Sequence, residues 1–383
     1  MKTSVFLFVL SCLFITLVSS CKNKQPITTV TLLENQLDSL YTNQFPNPDQ
    51  PGGTVLIKKG DKTLFLKSYG VADMQTGEKN TEHTLFNTGS ISKTFVANGI
   101  LILQQRGLLS IEDAIAKYFN DFTNQEIANK IKIKHWLSHT SGIPDVRKVE
   151  QEREFYLTAR DTQNFAPLKK VDSLYFEPGE RFKYSNPVYN GLALIIDQVT
   201  GADWQKFIKK EILEPSGMNT TKIVQGSYPS DGVAHGYIYK EGKYQEQDYG
   251  EEPTYGASGN SGVYSSVIEL TQYEKAIQDN VFLNKELTDQ SRTVWKPYNW
   301  KSQKEPLIGY SWFIEKDTFL SEHNSPGITF IYHTGSNGGF NSFYITIPEK
   351  DILIIGLFNQ PLKEYKKLVF STIDIVKEHS WGE

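Results

Sequence analysis

A serine and a lysine three residues apart are the first residues whose types and spacing suggest chemistry. Ser90 and Lys93 stand in the stretch TGSISKTFVANG, at the start of a strongly apolar segment. Residues i and i+3 share one face of a helix, so the lysine amine can approach the serine hydroxyl. A serine hydroxyl is a weak nucleophile near neutral pH and needs a base within hydrogen-bonding distance. The pair therefore indicates a nucleophile with its base or, as the plainer alternative, a helix start with a solvated lysine.

Two further short motifs favour the nucleophile. Tyr184–Asn186 stands before a predicted helix, and His333–Gly335 lies on a predicted strand. An ammonium group cannot accept a proton, but burial disfavours the charged form of lysine and a close phenol can share the proton. Lys93 and Tyr184 together supply the base in this hypothesis. The residues leave open which of the two holds the proton.

Each motif also has a structural explanation when it is taken alone. Asn186 followed by Pro187 is a good helix N-cap with proline in the first turn. The stretch HTGSNGG, which begins at His333, is equally compatible with a bulge or a turn. His135 and His139 have a spacing that can hold zinc, but Trp136 stands where a zinc peptidase of the HExxH type needs its glutamate. We therefore predict no metal site.

The three motifs, in this order and spacing, resemble the serine penicillin-recognising family. That family contains class C β-lactamases, D-alanyl-D-alanine carboxypeptidases and their esterase and aminopeptidase relatives. The resemblance runs from about residue 35 to residue 378, and it implies a serine hydrolase that forms an acyl-enzyme on Ser90 and needs no cofactor. Four longer stretches carry it further: HTSGIPD (139–145), EPGERFKYSN (177–186), GASGNSGVYSS (256–266) and HTGSNGGFNSF (333–343).

The same resemblance implies roles for the remaining residues. Asn186 would hold the amide carbonyl of the substrate, and the backbone N–H groups of Ser90 and Ser336 would form the oxyanion hole. Thr334 would line the strand against which the substrate lies. His333 would lie beside the substrate on the same strand, and Gly335 would let backbone and ligand approach closely.

His333 separates the members of the family. Most β-lactamases that resemble this chain carry lysine at this position, whereas His-Thr-Gly is found in D-alanyl-D-alanine carboxypeptidases and some aminopeptidases. A histidine with an ordinary pKa of about 6.5 is mostly neutral at pH 7. The chain has no Lys or Arg between Lys316 and Lys350, so recognition of a substrate carboxylate needs a cation from elsewhere.

These observations rank the possible activities on a small peptide, ester or β-lactam substrate. A D-alanyl-D-alanine carboxypeptidase-like peptidase is the first expectation, an esterase or D-aminopeptidase the second, and a β-lactamase the third. A module that binds cell-wall peptides or β-lactams without turnover is the alternative from another class. The net charge of −4 shows no basic excess and disfavours a nucleic-acid partner. The oligomeric state stays open.

Strand patterns at both ends of the chain predict the fold class. An amphipathic helix at 33–40 precedes two strands around Gly60-Asp61, and a buried helix is predicted over 91–106. Three strands and a final helix close the chain. We expect an α+β, DD-peptidase/β-lactamase-like fold with one antiparallel sheet built from both termini and flanked by helices. The expected sheet domain is 31–105 plus 301–383, and 106–300 is an inserted, mostly helical domain.

The N-terminus resembles a bacterial lipoprotein signal. Lys2 precedes the uncharged run from Val5 to Val18, and small residues lead to Cys21. We expect residues 1–20 to be a signal peptide, residues 21–30 to be a tether, and Cys21 to carry the lipid that attaches the protein to a membrane. The expected location is the periplasm, on the outer membrane. An ordinary signal peptide with a nearby free thiol is the plainer alternative.

Overall fold

Six strands from both ends of the chain form one antiparallel sheet in the computed structural model. The structure describes residues 29–149, 151–152, 155–156, 159–224, 232–247, 258–293 and 307–382. The strands are β1 (Gly53–Lys59), β2 (Lys62–Tyr69), β8 (Phe313–Phe319), β9 (His323–Asn337), β10 (Phe340–Ile347) and β11 (Ile352–Phe358). Their order in the sheet is β2-β1-β11-β10-β9-β8, so the N-terminal hairpin pairs directly with the last strand.

Helices cover both faces of this sheet. On one face lie α1 (Thr29–Gln44) and α10 (Tyr365–Ser380), which pack against each other. The remaining helices are α2 (Ser92–Gln105), α3 (Gln125–Lys130), α4 (Ile133–Leu137), α5 (Asp161–Phe165), α6 (Pro187–Thr200), α7 (Trp204–Ile208), α8 (Val267–Gln278) and α9 (Lys285–Ser291). Two small sheets complete the described structure: β3 (Phe86–Asn87) with β7 (Val263–Ser265) and β4 (Lys222–Ile223), and β5 (Tyr237–Lys240) with β6 (Lys243–Glu246).

Alternation along the strands explains why both faces are buried. Side chains of successive strand residues point to opposite faces. Val55 and Ile57 belong to the core under α1 and α10, whereas Leu56 belongs to the core under the other helices. The fold class is confirmed, with an antiparallel sheet from both termini and helices on either side. The division at residues 105 and 300 stays a prediction.

The helix that begins just after Ser90 is almost entirely enclosed. It starts at Ser92 after a short 3₁₀ turn, Gly89–Ile91, and all its residues from Ser92 to Leu103 are buried. It packs against α6 and α7, and Gly107, with φ of +67°, follows its end. The helix predicted over 91–106 is therefore present, and its burial fixes the position of the residues at its first turn.

The N-terminal 28 residues lie outside the described structure. The predicted signal peptide, Cys21 and most of the predicted tether fall in this stretch. Between residues 29 and 382, no described helix is both long and apolar enough to cross a membrane.

A buried ion pair ties the helices to the sheet. Arg292, just after α9, donates to both carboxylate oxygens of Glu274 on α8, at 2.7 and 2.6 Å. The Tyr344 hydroxyl on β10 donates to the same carboxylate. Glu274 and Tyr344 are almost fully buried and the Arg292 side chain is 11% exposed, so the two charges depend largely on each other for solvation.

We expect replacement of Arg292 by methionine to lower the free energy of unfolding by about 3–5 kcal/mol, because Glu274 would remain as a buried charge without its cation. Urea denaturation measures this change. The control is Lys285→Met, which removes an exposed ion pair with Asp289 and should cost less than about 1 kcal/mol. Equal losses for the two variants would contradict the prediction.

Candidate active site

Ser90 and Lys93 meet at the first turn of α2. Ser90 is partly exposed, whereas Lys93 is 0% exposed. Lys93 Nζ lies 3.0 Å from Ser90 Oγ and donates a second hydrogen bond, of 2.8 Å, to the backbone oxygen of Asn260. The alternative of a solvated lysine is therefore wrong. The hydroxyl faces the surface and the amine approaches it from inside the protein.

Two aromatic rings enclose the amine of Lys93. Its Nζ lies 5.2 Å from the ring centroid of Tyr184 and 5.8 Å from that of Tyr189. Aromatic faces at this distance attract an ammonium group. Tyr184, like Ser90, is partly exposed, whereas Tyr189 is buried.

Asn186 lies at the start of α6 without acting as its side-chain cap. It has helical backbone angles, φ −67° and ψ −50°, and its side chain makes no capping hydrogen bond. Pro187 is the first residue of the helix, as the sequence predicts. Capping thus explains the proline and leaves the Asn186 amide free of that role. The amide is partly exposed on the same loop as Tyr184.

Strand β9 passes directly over the turn that carries Ser90. A Cβ atom on Gly335 would lie 2.1 Å from the backbone oxygen of Thr88 and 2.2 Å from Ser342 Oγ. Gly89 has φ of +53°, and a Cβ there would lie 2.8 Å from the backbone nitrogen of Ser336. Only glycine fits at either position, and the close approach brings the Ser336 nitrogen beside Ser90.

The residues from His333 to Ser336 form regular strand, not a turn. They pair in continuous register with β10, and the chain reverses only after Asn337, at Gly338, whose φ is +55°. Thr334 is partly exposed and Ser336 is exposed, while His333 and Gly335 are buried. The bulge or turn interpretation of HTGSNGG is therefore wrong for its first five residues, and only Gly338 and Gly339 form a turn.

His333 is a buried, neutral histidine. Its Nδ1 lies 2.7 Å from the backbone oxygen of Thr334, and because a carbonyl oxygen only accepts, Nδ1 carries the proton. Burial, and after it the charge of Lys93, lowers the pKa of His333 to about 3. Nε2 then presents a lone pair, and it is buried with no partner among the residues that the structure describes.

His139, the first residue of the stretch HTSGIPD, is a second buried histidine at this site. Its Nδ1 accepts a hydrogen bond from the backbone nitrogen of Ser185 at 3.2 Å, and its ring lies 4.2 Å from that of Tyr184. Burial and the charge of Lys93 lower the pKa of His139 far below its usual value. It supports the loop that carries Tyr184. Among the described residues, no group of three or more His, Cys, Asp or Glu is arranged to hold a metal ion.

The lowered pKa of His333 predicts a loss of stability in acid. A histidine whose pKa is lower in the folded than in the unfolded chain contributes stability above pH 6.5, and this is lost as the pH falls towards 3. Between pH 7.5 and pH 5.0 we expect the wild-type free energy of unfolding to fall by about 2 kcal/mol more than that of His333→Gln. Urea denaturation at the two pH values measures this difference, and equal losses would contradict the lowered pKa of His333.

Comparison with known proteins gives one family. The model of the family described as beta-lactamase matches residues 38–370. Penicillin-binding protein 4* of Bacillus subtilis (strain 168) is 28% identical over 330 residues, which are 81% of this chain and 68% of that protein. The chain spans about two thirds of the length of the curated relatives that it matches.

Solved structures share the fold. The octameric penicillin-binding protein homologue from Pyrococcus abyssi superposes with a TM-score of 0.75 at 27% identity, covering 89% of this chain and 76% of that one. The D-amino acid amidase from Ochrobactrum anthropi SV3 superposes with a TM-score of 0.72 at 19% identity, covering 90% of this chain and 99% of that one. At 19% identity the likeness shows the fold alone.

Proposed function

The chain belongs to the beta-lactamase family and is a serine hydrolase, and from this premise we propose that it cleaves amide or ester bonds through an acyl-enzyme on Ser90. The observation that carries the proposal is the fully buried Lys93 amine, 3.0 Å from the partly exposed Ser90 hydroxyl. A base held inside the protein against a hydroxyl at the surface suits a nucleophile that attacks a substrate arriving from solvent.

The proposed reaction has two halves. Ser90 Oγ attacks the substrate carbonyl carbon, and its proton passes to the Lys93–Tyr184 pair, while the N–H groups of Ser90 and Ser336 stabilise the oxyanion. The tetrahedral intermediate collapses, and the leaving amine or alcohol departs with the proton. Water then attacks the acyl-enzyme, and the same pair takes its proton and returns one to Ser90. Asn186 holds the substrate amide, and Thr334 borders it on β9.

We propose a D-alanyl-D-alanine carboxypeptidase-like peptidase as the first activity. The His-Thr-Gly sequence at His333 and the similarity to a protein named penicillin-binding protein 4* support it. We also propose that the protein is a periplasmic lipoprotein, and the small residues that lead from Val18 to Cys21 support this location. Incorporation of labelled palmitate by the wild type, and its loss in Cys21→Ala, tests the lipid anchor; equal labelling of both would contradict it.

The state of His333 favours a second candidate, an amidase or aminopeptidase for substrates without a free carboxylate. A neutral imidazole brings no positive charge to β9, so His333 gives a substrate carboxylate no ionic partner, and a substrate that ends in an amide needs none. The fold shared with a D-amino acid amidase is compatible with such a substrate.

A matched pair of substrates separates the two candidates. The first is a peptide ending in D-alanyl-D-alanine and the second is its C-terminal amide, each assayed with wild type and His333→Lys. A carboxypeptidase should prefer the free carboxylate by tenfold or more, and an amidase should prefer the amide. For an amidase, His333→Lys should shift the preference towards the carboxylate. Failure to turn over either peptide, any simple ester or a penicillin would contradict the hydrolase and leave the binding module.

A further inference from the structure

A buried carboxylate lies behind Lys93, and the proposed reaction does not use it. Asp161, the first residue of α5, is 6% exposed. Its Oδ1 accepts hydrogen bonds from Asn190 Nδ2, at 2.6 Å, and from the backbone nitrogen of Gly259, at 3.0 Å. Its Oδ2 accepts a third, of 3.0 Å, from Trp204 Nε1. All three partners are donors, so they favour the ionised carboxylate.

The hydrogen bonds continue from Asp161 to the catalytic amine. Asn190 Oδ1 accepts from Asn260 Nδ2 at 3.0 Å, and the backbone oxygen of Asn260 accepts from Lys93 Nζ at 2.8 Å. Asn190 and Asn260 are almost fully buried, as are both ends of this chain of bonds. Four residues from four separate parts of the sequence thus form one continuous connection.

Every bond in this connection points the same way. Lys93 donates to Asn260, Asn260 donates to Asn190, and Asn190 donates to Asp161. The carboxylate fixes the orientation of the Asn190 amide, because a flipped amide would turn its oxygen towards Asp161. The orientation of Asn190 fixes that of Asn260 in turn. The Asn190 amide accepts one of these bonds and donates the next, so the bonds on its two sides polarise one another, whereas Lys93 binds a different group of Asn260, its backbone carbonyl.

We propose that Asp161 is a positioning residue for the nucleophile's base: through the side chains of Asn190 and Asn260 it holds the Asn260 carbonyl that places Lys93 Nζ against Ser90. This proposal rests on the acyl-enzyme function proposed above. Burial raises the pKa of Asp161 to about 6, so its carboxylate is ionised at neutral pH, when it can hold this orientation. Asp161 itself does not touch the substrate.

The connection can be cut while the backbone oxygen that accepts from Lys93 Nζ is kept. Asn260→Ala deletes the Asn260 side chain and keeps its backbone oxygen. Asn190→Leu removes the bonds of Asn190 to Asn260 and to Asp161 at similar volume. Trp204→Phe is the matched control. It removes a hydrogen bond to the Asp161 carboxylate that is not part of the connection to Lys93. The test measures acylation by a fluorescent penicillin or a fluorophosphonate, whichever labels the wild type. The final labelled amount gives the folded, active fraction of each variant.

We expect Asn260→Ala and Asn190→Leu each to lower the limiting acylation rate at saturating probe by tenfold or more. The half-saturating probe concentration should change by less than twofold. The double variant should be no slower than Asn190→Leu alone, because both changes break one path. Trp204→Phe should remain within twofold of wild type in both constants. A structural distortion of the site would instead change probe binding as well as rate.

Two other outcomes have separate meanings. The positioning role of Asp161 is overturned if the wild type is labelled and Asn260→Ala and Asn190→Leu acylate within twofold of it. It is also overturned if Trp204→Phe is slowed as much as these two variants. The acyl-enzyme function stands in both cases. If neither probe labels the wild type, the proposed function is overturned, and the positioning role with it.

Discussion

Replacement of Lys93 by methionine is expected to slow acylation of Ser90 by roughly 10²- to 10⁴-fold, the range that general base catalysis contributes. Methionine fills a similar volume in the buried site but can neither accept the Ser90 proton nor donate to the Asn260 oxygen. Tyr184→Phe should slow acylation in the same direction, since the phenol shares the proton in the proposed mechanism. Stopped-flow or quenched labelling with an acylating probe measures the rates.

The control for the Lys93 prediction is a lysine outside the site. Lys67 on β2 forms an ion pair with Asp38 and is largely exposed, so Lys67→Met should acylate at the wild-type rate. Near-normal acylation in both Lys93→Met and Tyr184→Phe would contradict the shared base. A large effect in only one of them would identify the residue that accepts the proton.

Replacement of Gly335 by alanine is expected to slow acylation by about 100-fold or more in the folded protein. The new methyl group would meet the Thr88 oxygen and Ser342 Oγ at just over 2 Å, so β9 has to move away from the turn that carries Ser90. This movement displaces the Ser336 nitrogen from the oxyanion, and loss of one such donor raises the barrier by about 2.7–4 kcal/mol. Overpacking should also lower stability by about 1–3 kcal/mol.

The matched control is Gly356→Ala on β11. Its methyl group would meet the Phe343 ring at 2.3 Å inside the sheet core, so it too overpacks a buried strand position. We expect a similar loss of stability but an acylation rate within about threefold of wild type per folded molecule. If Gly335→Ala acylates as fast as Gly356→Ala, the contact between β9 and the Ser90 turn is not needed for the reaction.

Local patterns explain how much of the site the sequence predicted. Ser90 and Lys93 are close because i and i+3 are neighbours on any helix, and a continuous apolar segment indicates that this helix is buried. The strand around His333 follows from its alternating, β-branched neighbours. The pair Gly60-Asp61 predicts the hairpin, and in the structure Gly60 has the positive φ, +53°, that such a turn requires. The other residues of the candidate site were predicted only because several motifs, in one order, resemble those of a known family.

Contacts between distant parts of the chain were not predictable from these patterns. Asn260 binds Lys93 through a backbone oxygen, which no residue type reveals, across 167 positions of sequence. Asp161 meets Asn190 across 29 positions, and Trp204 across 43. The low pKa of His333 arises from burial and from the charge of Lys93, and both depend on how the helices pack on the sheet.

The site of covalent labelling tests the central claim most directly. The chain without residues 1–21 is incubated with a fluorescent penicillin or a fluorophosphonate, its intact mass is measured, and the modified peptide is sequenced. The account predicts one adduct per protein with at least one probe, on Ser90, and no adduct in Ser90→Ala. An adduct on another residue, or equal labelling of wild type and Ser90→Ala, would contradict it.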